Sequence, residues 1–487
     1  MATYYVRKTG SDGAAGTSAG TAWQTIDKAA NTVAASDTVY VGAGTYRELV
    51  TMDTSGSSGN QISFIADVTG ENTGDPGLVV ISAFTNSNTA SRSSCWDPDG
   101  RTFVTVRGFV MQGGTSGVVW DINATDQNFE GVVFEDCVFV AGPDNIDAAF
   151  TVDMNGASSP ASSGLTVRRC VFSGGGLRIQ WNQNATAEQN LKVVVEGCLF
   201  AGAAASSLYV PFFWDMIGTS SFGCGGVTFR NNTIHSSYVG VVVDHGTSTT
   251  YPVAVSNCLI IADSSALQKA TSNDGALTSS YNTYTGTNTN VTAGTGDRNE
   301  TSTWLLGGIA DMPLYRFLGW SPYRPWEPMR PYDDTDWTSL IGDATTSPTF
   351  DLYNELRPMH GTAADRGAVE GRARMEKETT TVRTGSNAGR FDGAGFHDML
   401  FPVTATSTTV SVYARKDANY TGTAPQLKVM NIPGVADQTD THTVAAGNWE
   451  ELTATFTPTS AGVARIRLIS NDTSATGTCY FDDLTVT

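Results

Sequence analysis

Apolar positions along the middle of the chain fall into a six-residue line that keeps returning. Phe134 to Phe139 reads F-E-D-C-V-F, followed by V-R-R-C-V-F (Val167 to Phe172), V-E-G-C-L-F (Val195 to Phe200), F-R-N-N-T-I (Phe229 to Ile234) and V-S-N-C-L-I (Val255 to Ile260). Cys137, Cys170, Cys198, Asn232 and Cys258 are 33, 28, 34 and 26 residues apart, the spacing of a solenoid whose turns carry loops of unequal length. Positions four and six of each line share a face at strand period two. Position one reaches the interior from the other side of a bend.

A second β-rich run follows each line: Val118 to Asp121, Phe150 to Asp153, Leu177 to Gln180, Phe212 to Asp215 and Val241 to Asp244. Two or three short strands per turn, separated by Gly, Asn and Ser, predict a parallel β-helix. Its turns stack about 4.8 Å apart, so equivalent residues line up in columns. One column holds the inward cysteines with Asn232 among them. A second holds Asp121, Asp153, Gln180, Asp215 and Asp244, with Trp120 and Trp214 on the opposite face from the neighbouring Asp.

Near the N-terminus, Trp23, Ile26, Ala29, Ala30 and Val33 recur at helical spacing within Ala22 to Val33, predicting a short amphipathic helix that caps the open end of the solenoid. The stretches Tyr4-Tyr5-Val6 with Gly10-Ser11-Asp12-Gly13, Thr38 to Glu48, and Asp365-Arg366-Gly367-Ala368-Val369-Glu370 resemble the pectate-lyase-like superfamily of right-handed parallel β-helix proteins. The resemblance covers roughly residues 3 to 370 and implies a fold more than an activity, so residues 1–370 are expected to form one β-helix domain.

Within that domain the texture changes at 301–337. Four tryptophans (Trp304, Trp320, Trp326, Trp337) alternate with Pro313, Pro322, Pro325, Pro328 and Pro331, predicting a non-repetitive excursion along the outside of the helix, either a flap, a subunit interface or a sugar-stacking surface. Residues 371–381 read as a linker, and 382–487 as a β-sandwich, because Val410, Val412 and Ala414, then Leu452, Ala454 and Phe456, then Ala464, Ile466 and Leu468 alternate with outward residues that include Arg465 and Arg467. The run Gly447 to Leu452, the Phe456-Thr457-Pro458 step and the ending Tyr480 to Val486 resemble jelly-roll carbohydrate-binding modules. That resemblance implies sugar contact at Trp449 and a structural calcium at Asp482 or Asp483, the only cofactor expected; Trp326 and Trp337 of the excursion are the other sugar-stacking candidates. Two acids fall short of the six to eight oxygens calcium takes.

A net charge of -19 argues against a nucleic-acid partner, since phosphate binding needs clustered Lys and Arg. No run approaches the roughly 18 apolar residues of a membrane span. The start at Met1 reads directly into a strand without a secretory signal, so export by the usual route is not expected. Seven cysteines without a C-x-x-C pair read as small buried hydrophobes of a chain made in a reducing cytoplasm.

Chemistry, if present, belongs to the acidic column. Carboxylates one or two turns apart stand roughly 5 to 10 Å from each other, an interval that includes the separations used by glycosidases. Asp153, Asp215 and Asp244 are therefore the catalytic candidates. Outward acids also keep stacked strands soluble, which explains the column without catalysis. Two functions follow from these readings. The first is implied by the resemblance of both halves to modules common in phage tail spikes, fibres and capsid decorations: a virion surface protein, made in the host cytoplasm, homotrimeric by analogy with phage fibres, attached to other virion proteins and binding glycans. The second is a polysaccharide-degrading enzyme, a glycoside hydrolase or polysaccharide lyase, either secreted and extracellular or carried as a phage depolymerase.

Overall fold

One rung of the solenoid is three short strands, Val132–Glu135, Val138–Val140 and Ala148–Asp153, and the next is Leu165–Arg168, Val171–Ser173 and Gly176–Trp181. The rungs stack in register, Phe134 beside Val167, Phe139 beside Phe172 and Asp153 beside Gln180. In the computed structural model of the 487-residue chain, this stacking builds two ten-stranded sheets and one seven-stranded sheet, each wholly parallel among the described residues. The structure describes residues 1–85, 92, 94–97, 100–113, 118–121, 130–141, 148–153, 164–181, 189–201, 212–216, 224–236, 239–244, 250–262, 264–269, 276–299, 376–474 and 476–487, some of them, including Asp121, Asp153, Trp214 and Asp215, by backbone alone. The architecture is the expected parallel β-helix followed by an antiparallel sandwich.

The repeated hexapeptide turns the corner between two of the sheets. Its third residue adopts left-handed backbone in every rung: Asp136 (φ 57), Arg169 (φ 52), Gly197 (φ 61), Asn231 (φ 51) and Asn257 (φ 53). A left-handed residue swings the chain sharply, which lets position one point inward from one sheet and positions four and six from the next. For a residue with a Cβ this conformation costs on the order of 1–3 kcal/mol, offset here by packing on both sides of the corner.

Position four is the inward column. Cys137, Cys170, Cys198 and Cys258 are fully or almost fully buried, and each thiol donates to carbonyls across the corner: Cys170 Sγ to Arg168 O at 3.3 Å and Phe134 O at 3.6 Å, Cys258 Sγ to Ser256 O at 3.2 Å. All are free thiols. Position six stacks Phe139, Phe172 and Phe200, with ring centroids 4.9 Å and then 4.5 Å apart. Position two faces outward and alternates in charge, Arg107, Glu135, Arg168, Glu196 and Arg230 following one another in register. Arg168 meets Glu135 at 2.6 Å and Arg230 meets Glu196 at 2.6 Å, so this flank is laced by ion pairs between rungs.

At the N-terminal end Trp23, Ile26, Ala29, Ala30 and Val33 are all buried, as their spacing predicts. The helix itself is only Ile26–Ala30, shorter than Ala22 to Val33, because Trp23 is drawn into backbone pairing with the first strand: Trp23 N donates to Tyr5 O at 2.9 Å and Arg7 N to Trp23 O at 2.8 Å. That pairing covers the open edge of Thr3–Val6, which would otherwise invite another strand. The Glu48 carboxylate takes the first two helical N–H groups, those of Ile26 and Asp27, at 3.0 Å each.

The sandwich packs a five-stranded sheet on a four-stranded one over Phe391, Val410, Val412, Leu427, Leu452, Ile466 and Phe481, among others. The linker expected over 371–381 is cut short by the strand Glu376–Glu378, which pairs with Ala388–Asp392 and belongs to the sandwich. Arg467 points away from the core, yet it is buried, its guanidinium carbon 3.7 Å from the centre of the Phe396 ring.

Candidate functional site

The outer face of the five-stranded sheet gathers aromatic rings and arginines. Strand Thr408–Lys416 alternates, burying Val410, Val412 and Ala414 and turning Ser411, Tyr413 and Arg415 outward. In strand Thr478–Val486, Phe481 is buried and Tyr480 is half-buried on the outer face. The antiparallel register puts Arg390 beside Tyr480 and Tyr480 beside Arg415. Trp449 stands at the end of that row, one residue before Glu450, which pairs with Ala414. Its half-buried ring lies 6.5 Å from that of Tyr480, the two planes inclined by 59°, and the Arg415 guanidinium carbon is 5.6 Å from the Tyr480 ring centre.

Two of the arginines on this face are held by acids. Arg383 lies 3.3 Å over the Tyr413 ring and bonds Asp483 at 2.5 Å, while Tyr413 donates its hydroxyl to Glu451 at 3.1 Å. Arg390 is paired with Asp392. Arg415 instead donates Nε to the backbone oxygen of Gly447 at 2.9 Å, and Gly447 N returns a bond to Lys416 O at 2.8 Å. Gly447 sits at φ 91, a conformation that a side chain would strain.

Asp482 and Asp483, the calcium candidates, clasp the segment that precedes strand Ala388–Asp392. Asp482 Oδ2 accepts from the backbone N–H groups of Arg383 at 2.8 Å and Thr384 at 3.2 Å, and Asp483 accepts from the Thr384 hydroxyl and Arg383. The Thr384 hydroxyl and the Arg383 guanidinium hold the Asp483 carboxyl below the usual carboxylate range. This donor set fits a strand clasp and does not fit a calcium shell, which needs six to eight oxygens. Among the described residues no group of three or more His, Cys, Asp or Glu is arranged to hold a metal.

The acidic column exists at the level of backbone register: Asp121, Asp153, Gln180, Asp215 and Asp244 are successive partners in the seven-stranded sheet. Asp215 and Asp244 are one rung apart, about 5 Å, and Asp153 and Asp215 two rungs, about 10 Å. Gln180 and Asp244 are half-buried; the side chains of Asp153 and Asp215 lie outside the described residues. In backbone register Trp120 and Trp214 are partners of Val152, Ile179 and Val243. Trp326 and Trp337 lie outside the described residues.

The structure thus brings Trp449 together with partners that sequence reading did not select: Tyr413, Arg415, Tyr480 and Arg383. The alternation in Val412-Tyr413-Ala414-Arg415 and Cys479-Tyr480-Phe481 marks these side chains as outward. Their proximity depends on which strands are neighbours, and alternation is silent on that.

No protein-family model matches the chain, and no curated protein matches it. Among solved structures it is similar to XylC in complex with xylose, at 12% identity over 64% of this chain and 86% of that chain with a TM-score of 0.27. It is also similar to a rhamnogalacturonan lyase, at 14% identity over 59% and 75% with a TM-score of 0.33. A third is the enzymatically active domain of tailspike protein 4 of bacteriophage CBA120, at 11% identity over 95% and 65% with a TM-score of 0.19. At these scores the likeness transfers neither activity nor site, and the fold rests on the strand register itself.

Proposed function

We propose that this chain is a glycan-binding structural protein of a virion surface, in which the β-helix is a stiff shaft and the sandwich reads sugars. The observation that carries the proposal is the Trp449 and Tyr480 pair on the outer sheet face, two half-buried rings 6.5 Å apart. Aromatic rings on a rigid sheet offer apolar area at low entropy cost, which suits the C–H faces of a pyranose. The jelly-roll resemblance of the last quarter of the chain supports the same reading. On this proposal other virion proteins anchor the shaft, and the assembly is a homotrimer.

Binding to an immobilised glycan array, compared between the native chain and Trp449→Ala, tests the sugar-reading part. The expected result is retention on a subset of glycans and a loss of about tenfold or more for the variant, as for an interface hot-spot aromatic. Equal binding by the two proteins would remove Trp449 from the site.

The acidic column favours a second reading, a polysaccharide-degrading enzyme, because its acids stand at one- and two-rung spacing in backbone register, the interval at which glycosidases place their two carboxylates. In that reading Asp153, Asp215 and Asp244 carry the chemistry.

A further inference from the structure

We propose that the sandwich face selects acidic saccharides, with Arg415 receiving a sugar carboxylate while Tyr480 and Trp449 hold the ring that bears it. This rests on the glycan-binding reading above and adds the ligand class. Three guanidiniums lie on or beside this face, and they differ in what they touch. Arg383 is bonded to Asp483, and Arg390 to Asp392. Arg415 has no carboxylate partner among the described residues, although the chain carries 48 acids and a charge of -19. A guanidinium held beside the Tyr480 ring in so acidic a protein calls for an anion from outside.

The guanidinium is also oriented in advance. Its Nε is committed to the Gly447 carbonyl at 2.9 Å, and the Gly447 amide is tied back to Lys416 at 2.8 Å, so the loop and the arginine hold each other. Its two Nη groups are left for a planar, two-oxygen acceptor such as a carboxylate. The Tyr480 ring lies 5.6 Å from the guanidinium carbon and 6.5 Å from Trp449, so the anion site and the apolar site are contiguous. Glu451, the nearby acid in the next row, is engaged by the Tyr413 hydroxyl at 3.1 Å. A neutral sugar would use the rings and leave the guanidinium to water.

The test is affinity electrophoresis and calorimetry of the full chain with polygalacturonate, alginate and hyaluronate. The comparison ligands are fully methyl-esterified polygalacturonate and dextran. Polygalacturonate or another of the acidic polymers is expected to bind at least about tenfold tighter than its neutral counterpart, with the preference shrinking as salt rises. Arg415→Gln is expected to erase that preference, and Trp449→Ala to weaken acidic and neutral polymers alike. If the ester and the free acid bind equally and Arg415→Gln changes nothing, acid selection is wrong while glycan binding through Trp449 stands. If no polymer binds and Trp449→Ala matches the native chain, the glycan reading fails as well. The ester comparison needs no mutation, so the proposal stays testable should Arg415→Gln fold poorly.

Discussion

Asn232 stands in a cysteine slot and bonds the cysteine of the rung before it: its Oδ1 accepts the backbone N–H of Cys198 at 2.8 Å and its Nδ2 donates to Val195 O at 3.0 Å. Asn282 repeats this on Cys258 N–H at 2.9 Å and Val255 O at 3.0 Å. The inward column is thus a line of corner-bonding side chains, in which the thiol donates weakly and the carboxamide both donates and accepts. Cysteine and asparagine interchange there because both are small enough to be buried and both reach the carbonyls of the corner.

Replacing Asn232 by Ala removes the side-chain partner of the buried Cys198 N–H and of the Val195 carbonyl, at a cost of about 1–3 kcal/mol. Asn232→Cys is expected to cost less, because a thiol already occupies the equivalent position in four other rungs. Urea unfolding of the two variants measures the difference; equal losses would mean that only volume matters in this slot.

Burial pushes the Cys95, Cys258 and Cys479 thiols up to about 12 from their ordinary value of 9.0. Burial likewise pushes Cys137 and Cys170 well above it. The folded state therefore holds these protons more tightly than the unfolded chain. Stability should be insensitive to this effect below pH 9 and fall from pH 9 towards pH 12, by up to about 1.4 kcal/mol per pH unit for each thiol. Unfolding midpoints across that range test the slope. A thiol reagent at pH 8 should label Cys137, Cys170, Cys198 and Cys258 only after denaturation.

Glu196 links rungs through Arg230, at 2.6 Å to Nη2 and 2.9 Å to Nε, with its side chain 11% exposed. Glu196→Gln should lower stability by about 1 kcal/mol at low salt, and part of that difference should vanish at 1 M salt, where charges are screened within about 3 Å. A salt-independent loss would assign the effect to packing and hydrogen-bond geometry.

Much of this architecture is legible in the sequence because a stacked solenoid writes its register into the repeat. The hexapeptides fix which residues face inward, and the runs after them place Asp121, Asp153, Gln180, Asp215 and Asp244 in one column. The left-handed third position is legible at Gly197, Asn231 and Asn257, whose types favour it, but not at Arg169, where the local packing imposes the conformation. The Arg and Glu alternation at position two becomes an ion-pair ladder only once the rungs are aligned. On the sandwich, Trp449 was readable as a candidate, whereas its row with Tyr480 and Arg415 was not, because strands distant in sequence are interleaved there as 388–392, 478–486, 408–416 and 450–456.

On the proposed function, this chain holds glycans without cleaving them. The most direct measurement is reducing-end release from a polysaccharide panel under conditions where the same polymers are bound. Bound polymer and no release are expected, with Asp215→Asn indistinguishable from the native chain. Release of reducing ends by the native protein, abolished in Asp215→Asn, would contradict it and make the acidic column an active site.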